Sequence, residues 1–414
     1  MAATNTKGQT GNGNTTGGER PAQTDRKYFW FLVVYLVILS AMGSFVNDMY
    51  TPSLPEMSRY FHCTPSQTQL SLTMGMIGLA LGQILLGPIS DHYGRKPVLI
   101  ASGLLLILGC AVSVFSPTLW FFLFCRLVQG LGASGGYFLA RTIPADIFHG
   151  RELAKTMAIV GAVNGIAPAS APVIGGVTAD AFGWKGVFVL IGLFTVIALI
   201  MARWLKESLY PAQRTTVAWW KTFPGYLMLL KRKRFMIHVS LKGISLGLLF
   251  AYISAAPFIL EDHFGMSQTL YGVVIGLNSL GVAIGSMVSL RFKPYKKALI
   301  VAAIIILPSL LFNALSLWLW HSFWIYEACC VLMLFGGGMI FSVSNTLAMN
   351  EGRDKAGEAS AILGVAGYVV GAVVSPLVGI GNVFHSTAIV FAVLAVLITA
   401  FCIWSNRLPA DLNN

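Results

Sequence analysis

A chain of 414 residues that is 56% hydrophobic and only 11% charged, with a mean hydropathy of +0.73, has lipid as its main solvent, which excludes a soluble globular fold. Its formal net charge of +12 would suit a nucleic-acid binder if the basic residues were gathered on one water-facing domain, but they lie in short turns between apolar runs. The six cysteines, Cys63, Cys110, Cys125, Cys329, Cys330 and Cys402, fall almost entirely inside those runs, which makes them small core residues rather than a disulfide framework.

Residues 1–26 are rich in Gly, Thr, Asn and Gln and nearly free of apolar side chains, the composition of a disordered cytoplasmic tail. The first apolar run, 28–48, follows Arg26 and Lys27. It is too long for the core of a signal peptide and has no cleavage site, so it stays as a membrane helix. Further runs of about 20 apolar residues at 68–89, 98–115, 119–141, 154–178, 184–205, 235–259, 268–290, 298–319, 323–348, 357–380 and 385–404 bring the total to twelve predicted spans.

Asp48 closes the first span. A partly buried carboxylate near a cation can be neutral or charged according to state, which makes Asp48 the predicted proton site; the alternative is a helix-end carboxylate at the outer surface. Between the second and third spans runs Gly87-Pro88-Ile89-Ser90-Asp91-His92-Tyr93-Gly94-Arg95-Lys96-Pro97. Gly87 and Gly94 let two helices approach and turn tightly. Asp91 sits where helix-end amides and a basic neighbour stabilise it, and Arg95 with Lys96 hold the turn on the cytoplasmic face. The stretch is a membrane hairpin with a latch.

The fourth span carries Arg126. An arginine at mid-bilayer costs about 2.5–3.5 kcal/mol on insertion scales, so it should face a wet cavity and a partner, with Asp48 the nearest candidate; the alternative is a structural hydrogen-bonding arginine. Helical spacing puts Gly130, Ser134, Tyr137 and Arg141 near the same face, a polar stripe through the bundle interior. Asp146, near the inner end of this span and before His149 and Arg151, fits a gate or loop ion pair.

In the second half Lys242 shares a helix face with His238 and Ser245, with Tyr252 further along. It can bind an anionic or polar substrate group, titrate against a carboxylate, or snorkel to the cytoplasmic side. Glu327 begins the tenth span as a second proton or gate site, or as a solvated helix-start acid. Asn278, Asn345 and Tyr368 are polar groups within apolar runs, open to substrate contact or interhelical hydrogen bonding.

The one long gap divides the array six and six: a first bundle over 27–205, a cytoplasmic linker over 206–234, a second bundle over 235–405 and a short tail over 406–414. Of the 28 Lys and Arg, 24 lie on the side of the N-terminus or at its edge, which places both termini in the cytoplasm. Lys96-Pro97 recurs as Lys293-Pro294, and Pro172-x-x-Gly as Pro376-x-x-Gly, each roughly 200 residues on, as expected of parallel repeats with the substrate path between them. No G-x-x-x-x-G-K-[ST] loop exists, so ATP is not the energy source, and no nucleophile–base or metal-ligand cluster supports an enzyme. No cofactor and no metal are expected.

The motifs together resemble the major facilitator superfamily, and within it the twelve-span drug:proton antiporters of the Bcr/CflA type, over essentially residues 27–405. Gly87-x-x-x-Asp91-x-x-Gly94-Arg95-Lys96 is similar to the loop motif between spans two and three, and Arg126-Leu127-Val128-Gln129-Gly130 to the fourth-span arginine motif. Gly165 through Gly176, with Pro168 and Pro172, is similar to the fifth-span antiporter motif, and Asn47-Asp48-Met49-Tyr50-Thr51-Pro52-Ser53-Leu54-Pro55 to the stretch closing span one. Where some drug exporters carry a second acid two turns before the first, this chain has Ser40, which weakens a broad cationic-drug specificity.

The resemblance implies an all-α protein of the bacterial inner membrane, two six-helix bundles rocking about a central site with the latch stabilising the outward-facing state. Its partners would be a small-molecule substrate, protons and the lipid bilayer, with no nucleic acid, and it would work as a monomer. Asp48, Arg126 and Glu327 would couple protons, and Tyr50, Tyr137, Lys242, Tyr252, Asn278, Asn345 and Tyr368 would face the substrate. The alternatives are a proton-coupled metabolite or sugar carrier on the same fold, and a membrane receptor or scaffold without turnover.

Overall fold

A computed structural model describes residues 26–216 and 223–407, so the tail expectations for 1–25 and 408–414 lie outside the described residues. These residues form long helices and no strand. The helices are α1 Arg26–Asp48, a short α2 Leu54–Tyr60, α3 Pro65–Tyr93, α4 Arg95–Ser113, α5 Leu119–Ile147, α6 Gly150–Met201, α7 Phe223–Leu230, α8 Lys233–Pro257, α9 Gln268–Ser289, α10 Tyr295–Leu319, α11 Phe323–Glu351, α12 Ala356–Leu377 and α13 Val383–Arg407.

Ten of the described helices are long and apolar enough to cross a membrane. One of them, α6, is two helical segments meeting at Gly183, whose left-handed φ of 68° only glycine adopts without strain. The Glu56 carboxylate accepts from the Trp184 backbone N–H at 3.2 Å, which satisfies a donor freed where the chain restarts. The 29-residue α5, which carries Arg126, Gln129 and several glycines, is not among those ten. The predicted linker also holds α7, whose Leu229 is buried against Phe235, Val239 and Ala359.

Sequence signals fix the helix starts. Thr64 accepts from the Gln67 N–H while the Gln67 side chain accepts from the Thr64 N–H, a reciprocal cap with Pro65 in the first turn of α3. Ser267 caps α9 through the Leu270 N–H at 3.2 Å. Between α3 and α4, Gly94 has a φ of 103°, and a Cβ there would press on the Arg214 and Glu207 side chains at 2.7 Å.

Helices α1 and α3–α6 pack among themselves, as do α8–α13; the two sets meet chiefly where α6 crosses α9 and α3 crosses α12. One end of the bundle carries Arg26, Arg95, Lys96, Lys296 and Arg353 and is called the basic end here. At the opposite end the two sets are sealed. Ser66, Gln69 and Thr73 of α3 donate to the carbonyls of Pro376, Ser254 and Ala372, each at 2.8 Å. Gly176 presses on the backbone of Gln268 in the second set so closely that a Cβ would overlap its carbonyl, and Gly175 packs as closely on Met49 within the first set. Arg59 pairs with Asp262 at 2.9 Å and Asp180 accepts from the Thr269 N–H at 2.9 Å, both across the same seam.

Candidate functional site

Between the two sets lies a cavity of about 190 Å³. From the first set Asn47, Asp48, Tyr137 and Arg141 face it, and from the second Lys242 and Tyr368. Phe250, Ile253, Leu249 and Phe341 supply an apolar wall. A wider space of about 550 Å³ lies towards the basic end, bounded by Gln83, Gly87, Asp91, Tyr226 and Glu358, and Arg141 belongs to both. The cavity is therefore shut beyond Asp48, the last residue of α1, and Arg141 is the wall it shares with the space towards the basic end.

Asp48 is 6% exposed, and its carboxylate accepts from the Asn47 amide at 2.8 Å. Arg126, fully buried, does not form the expected ion pair with it. Its Nη1 donates to Gln129 Oε1 at 2.6 Å, its Nη2 to the Val46 carbonyl at 2.9 Å and its Nε to the Ser71 carbonyl at 3.4 Å, while the guanidinium stacks 4.1 Å over the Tyr50 ring. The reason is local: α1 ends at Asp48, and the freed carbonyl of Val46 offers the arginine a nearer acceptor than the carboxylate. Asp48 is left facing the cavity.

Lys242 is 7% exposed; its ammonium donates to Asn345 Oδ1 at 2.8 Å and lies 5.1 Å from the Phe341 ring centre. It therefore stays in the bundle instead of snorkelling. Arg141 donates to the Tyr137 hydroxyl at 2.6 Å and covers the same ring at 4.3 Å. Among the described residues neither cation has a carboxylate within ion-pair distance.

Four residues expected at the substrate surface are placed elsewhere. Tyr50 is fully buried under Arg126, its hydroxyl 3.0 Å from Ser71 Oγ. Tyr252 and Asn278 form a separate cluster with Glu327, in which the Asn278 amide donates to the Tyr252 hydroxyl at 2.6 Å and to the Glu327 carboxylate at 2.5 Å. Asn345 reaches the cavity only through Lys242. Glu327 keeps one carboxylate oxygen buried without a partner. Spacing along one helix cannot say which neighbour covers a given face, and for Asn278 and Asn345 the interhelical hydrogen bond, the other reading of the sequence, is the contact present.

The latch is assembled as an ion cluster on Arg95, a 5% exposed residue. Its guanidinium donates to Asp91 Oδ1 and Ser90 Oγ, each at 2.6 Å, and to Asp146 Oδ2 at 2.9 Å. Sequence reasoning missed Glu207, which accepts from the backbone N–H of Arg95 at 2.9 Å and of Lys96 at 3.1 Å, and Ser208, which donates to Asp146 at 3.0 Å. No spacing rule links positions more than 100 residues apart. These contacts all lie within the first set of helices, in a structure whose far end is closed, so they do not by themselves select the outward-facing state. Gly87 lies against the Phe138 ring.

Of the antiporter-like stretch, Pro168 lines the cavity, the Pro172 carbonyl faces Gly272 of α9 and Gly176 faces Gln268. Gly165 lies outside the residues whose surroundings are described. Arg141 is the main cavity residue left without a role by the sequence; its signal was present, since it extends the Arg126 stripe along α5.

A family model described as Major Facilitator Superfamily matches residues 36–376. An uncharacterized MFS-type transporter, YdgK, of Bacillus subtilis (strain 168) is 33% identical over 89% of this chain and 91% of its own. A bicyclomycin resistance protein homolog of Haemophilus influenzae is 26% identical over 85% and 90%, and Multidrug resistance protein D of Escherichia coli (strain K12) 24% over 80% and 84%. Among solved structures, a bacterial homolog of the human lysosomal transporter Spinster, inward-facing and unoccupied, aligns with a TM-score of 0.76 at 14% identity, and the xylose transporter XylE of Escherichia coli with 0.71 at 14%; each covers 92% of this chain and 98% of the other.

Proposed function

Because the chain belongs to the Major Facilitator Superfamily, whose members are multi-pass membrane transporters, we propose that it exports small organic molecules across a bacterial inner membrane in exchange for protons. The supporting observation is the cavity between the two sets of helices, sealed at the far end and bordered by Arg141 towards the basic end, with the Asp48 carboxylate, which has no ion-pair partner among the described residues, at its closed extremity. Taking the basic end as cytoplasmic by the positive-inside bias gives twelve spans in two six-helix halves with both termini inside. Rocking the halves about the α6–α9 and α3–α12 crossings would move the seal from one end to the other. Asp48 is the proton carrier in this reading, because it alone among the buried carboxylates named above borders the cavity; Glu327 is a second, internal site.

Relatives named for resistance to bicyclomycin, chloramphenicol and multiple drugs support an exporter over a nutrient carrier. The test is purified protein in liposomes carrying a pH gradient, with chloramphenicol and bicyclomycin as probes. Wild type should move a probe against protons, and Asp48→Asn should abolish the movement while keeping the fold, since the amide preserves shape and hydrogen bonding but cannot titrate. Movement with protons would indicate a metabolite carrier. Full pH-driven efflux in Asp48→Asn would transfer the role to Glu327.

A further inference from the structure

The cavity is positively charged, and its two cations come from opposite halves. Arg141 stands on α5 and Lys242 on α8, both line the cavity that Asp48 borders, and Arg141 also borders the space at the basic end. Among the described residues each is held by neutral groups, Arg141 by Tyr137 and Lys242 by Asn345 and Phe341. The acids nearer the basic end are already matched: Asp91 pairs with Arg95 at 2.6 Å and Glu358 with Lys355 at 4.0 Å.

Two like charges facing one low-dielectric space repel each other, and a buried charge is retained only where something compensates it. Asp48 compensates one of the two. With Asp48 ionised the cavity groups sum to one positive charge, so a bound molecule with one negative charge makes the loaded state neutral. We infer that the transported molecules are amphiphilic monoanions, with a carboxylate, sulfonate or similar oxyanion bridging Arg141 and Lys242 and an apolar body against Phe250, Ile253 and Phe341. The bridge joins the two halves, so binding draws them together at the level of the cavity. This rests on the exporter reading and names its substrate class.

The test uses three fluorescent probes of one shape: a naphthalene sulfonate, the matching sulfonamide and a naphthyl-methylamine. Binding to the purified wild-type protein and pH-driven movement in liposomes should favour the sulfonate over both others by at least tenfold. Lys242→Gln and Arg141→Gln should each remove that preference, and Lys242→Arg should restore most of it, which separates lost charge from lost folding. Movement of chloramphenicol without binding of the sulfonate, or preference for the amine, would overturn the anion inference and leave the exporter standing. Absence of pH-driven movement for chloramphenicol, bicyclomycin and all three probes would overturn both.

Discussion

Replacing Arg126 by lysine keeps the charge and removes the fork. The guanidinium makes two short hydrogen bonds, 2.6 Å to Gln129 and 2.9 Å to the Val46 carbonyl, a longer one at 3.4 Å to Ser71, and a stack at 4.1 Å on Tyr50. A lysine ammonium set in the same space reaches one of these partners well and stacks less. Neutral interhelical hydrogen bonds in membranes average only about 0.6 kcal/mol, but this donor is charged and fully buried, and bonds to charged groups are worth about 1.5–3 kcal/mol. Losing one such bond and part of a stack worth about 0.5–2 kcal/mol gives roughly 2–4 kcal/mol. That corresponds to a factor on the order of 30 to 700 in any equilibrium that needs the network. The loss should fall on the corner where α1 ends, since Arg126 ties Val46 to α3 and α5 two residues before Asp48. Thermal unfolding in detergent should therefore drop for Arg126→Lys, and pH-driven efflux should fall by more than tenfold in the protein that remains folded. Near-normal efflux from a well-folded Arg126→Ala protein would refute the reasoning and leave the arginine a packing residue.

Two further predictions address conformational change. Asp91→Asn and Arg95→Ala should slow transport while leaving probe affinity within a few-fold, because the latch cluster touches Asp146, Ser90 and Glu207 and not the central cavity; equal losses in rate and affinity would move the latch into the binding site. Gly176→Val should hold the far end open, since its side chain would overlap the Gln268 carbonyl of the second set at the seal. Thiol labelling of a cysteine introduced at Thr51 should then rise, and unchanged labelling would show that the seam yields without opening.

The sequence by itself determined the elements of the fold. Apolar runs mark helix starts to within a few residues, as at Leu119 of α5, Gln268 of α9 and Phe323 of α11, because burial of a spanning segment in lipid is a local requirement. It also marked Asp48, Lys242 and the Arg95 cluster, since a charge in an apolar run is expensive wherever the chain goes. Tertiary structure alone decided which groups meet. Arg126 takes the Val46 carbonyl instead of Asp48, Asn278 turns to Glu327 and Tyr252 instead of the cavity, and Glu207 caps α4 from more than 100 residues away. A side chain's partner depends on the crossing and rotation of neighbouring helices, and the same spacing on one helix is compatible with several of these. The facing of Arg141 and Lys242 across the cavity belongs to that second class, because it is set by two halves of the chain that share no local pattern.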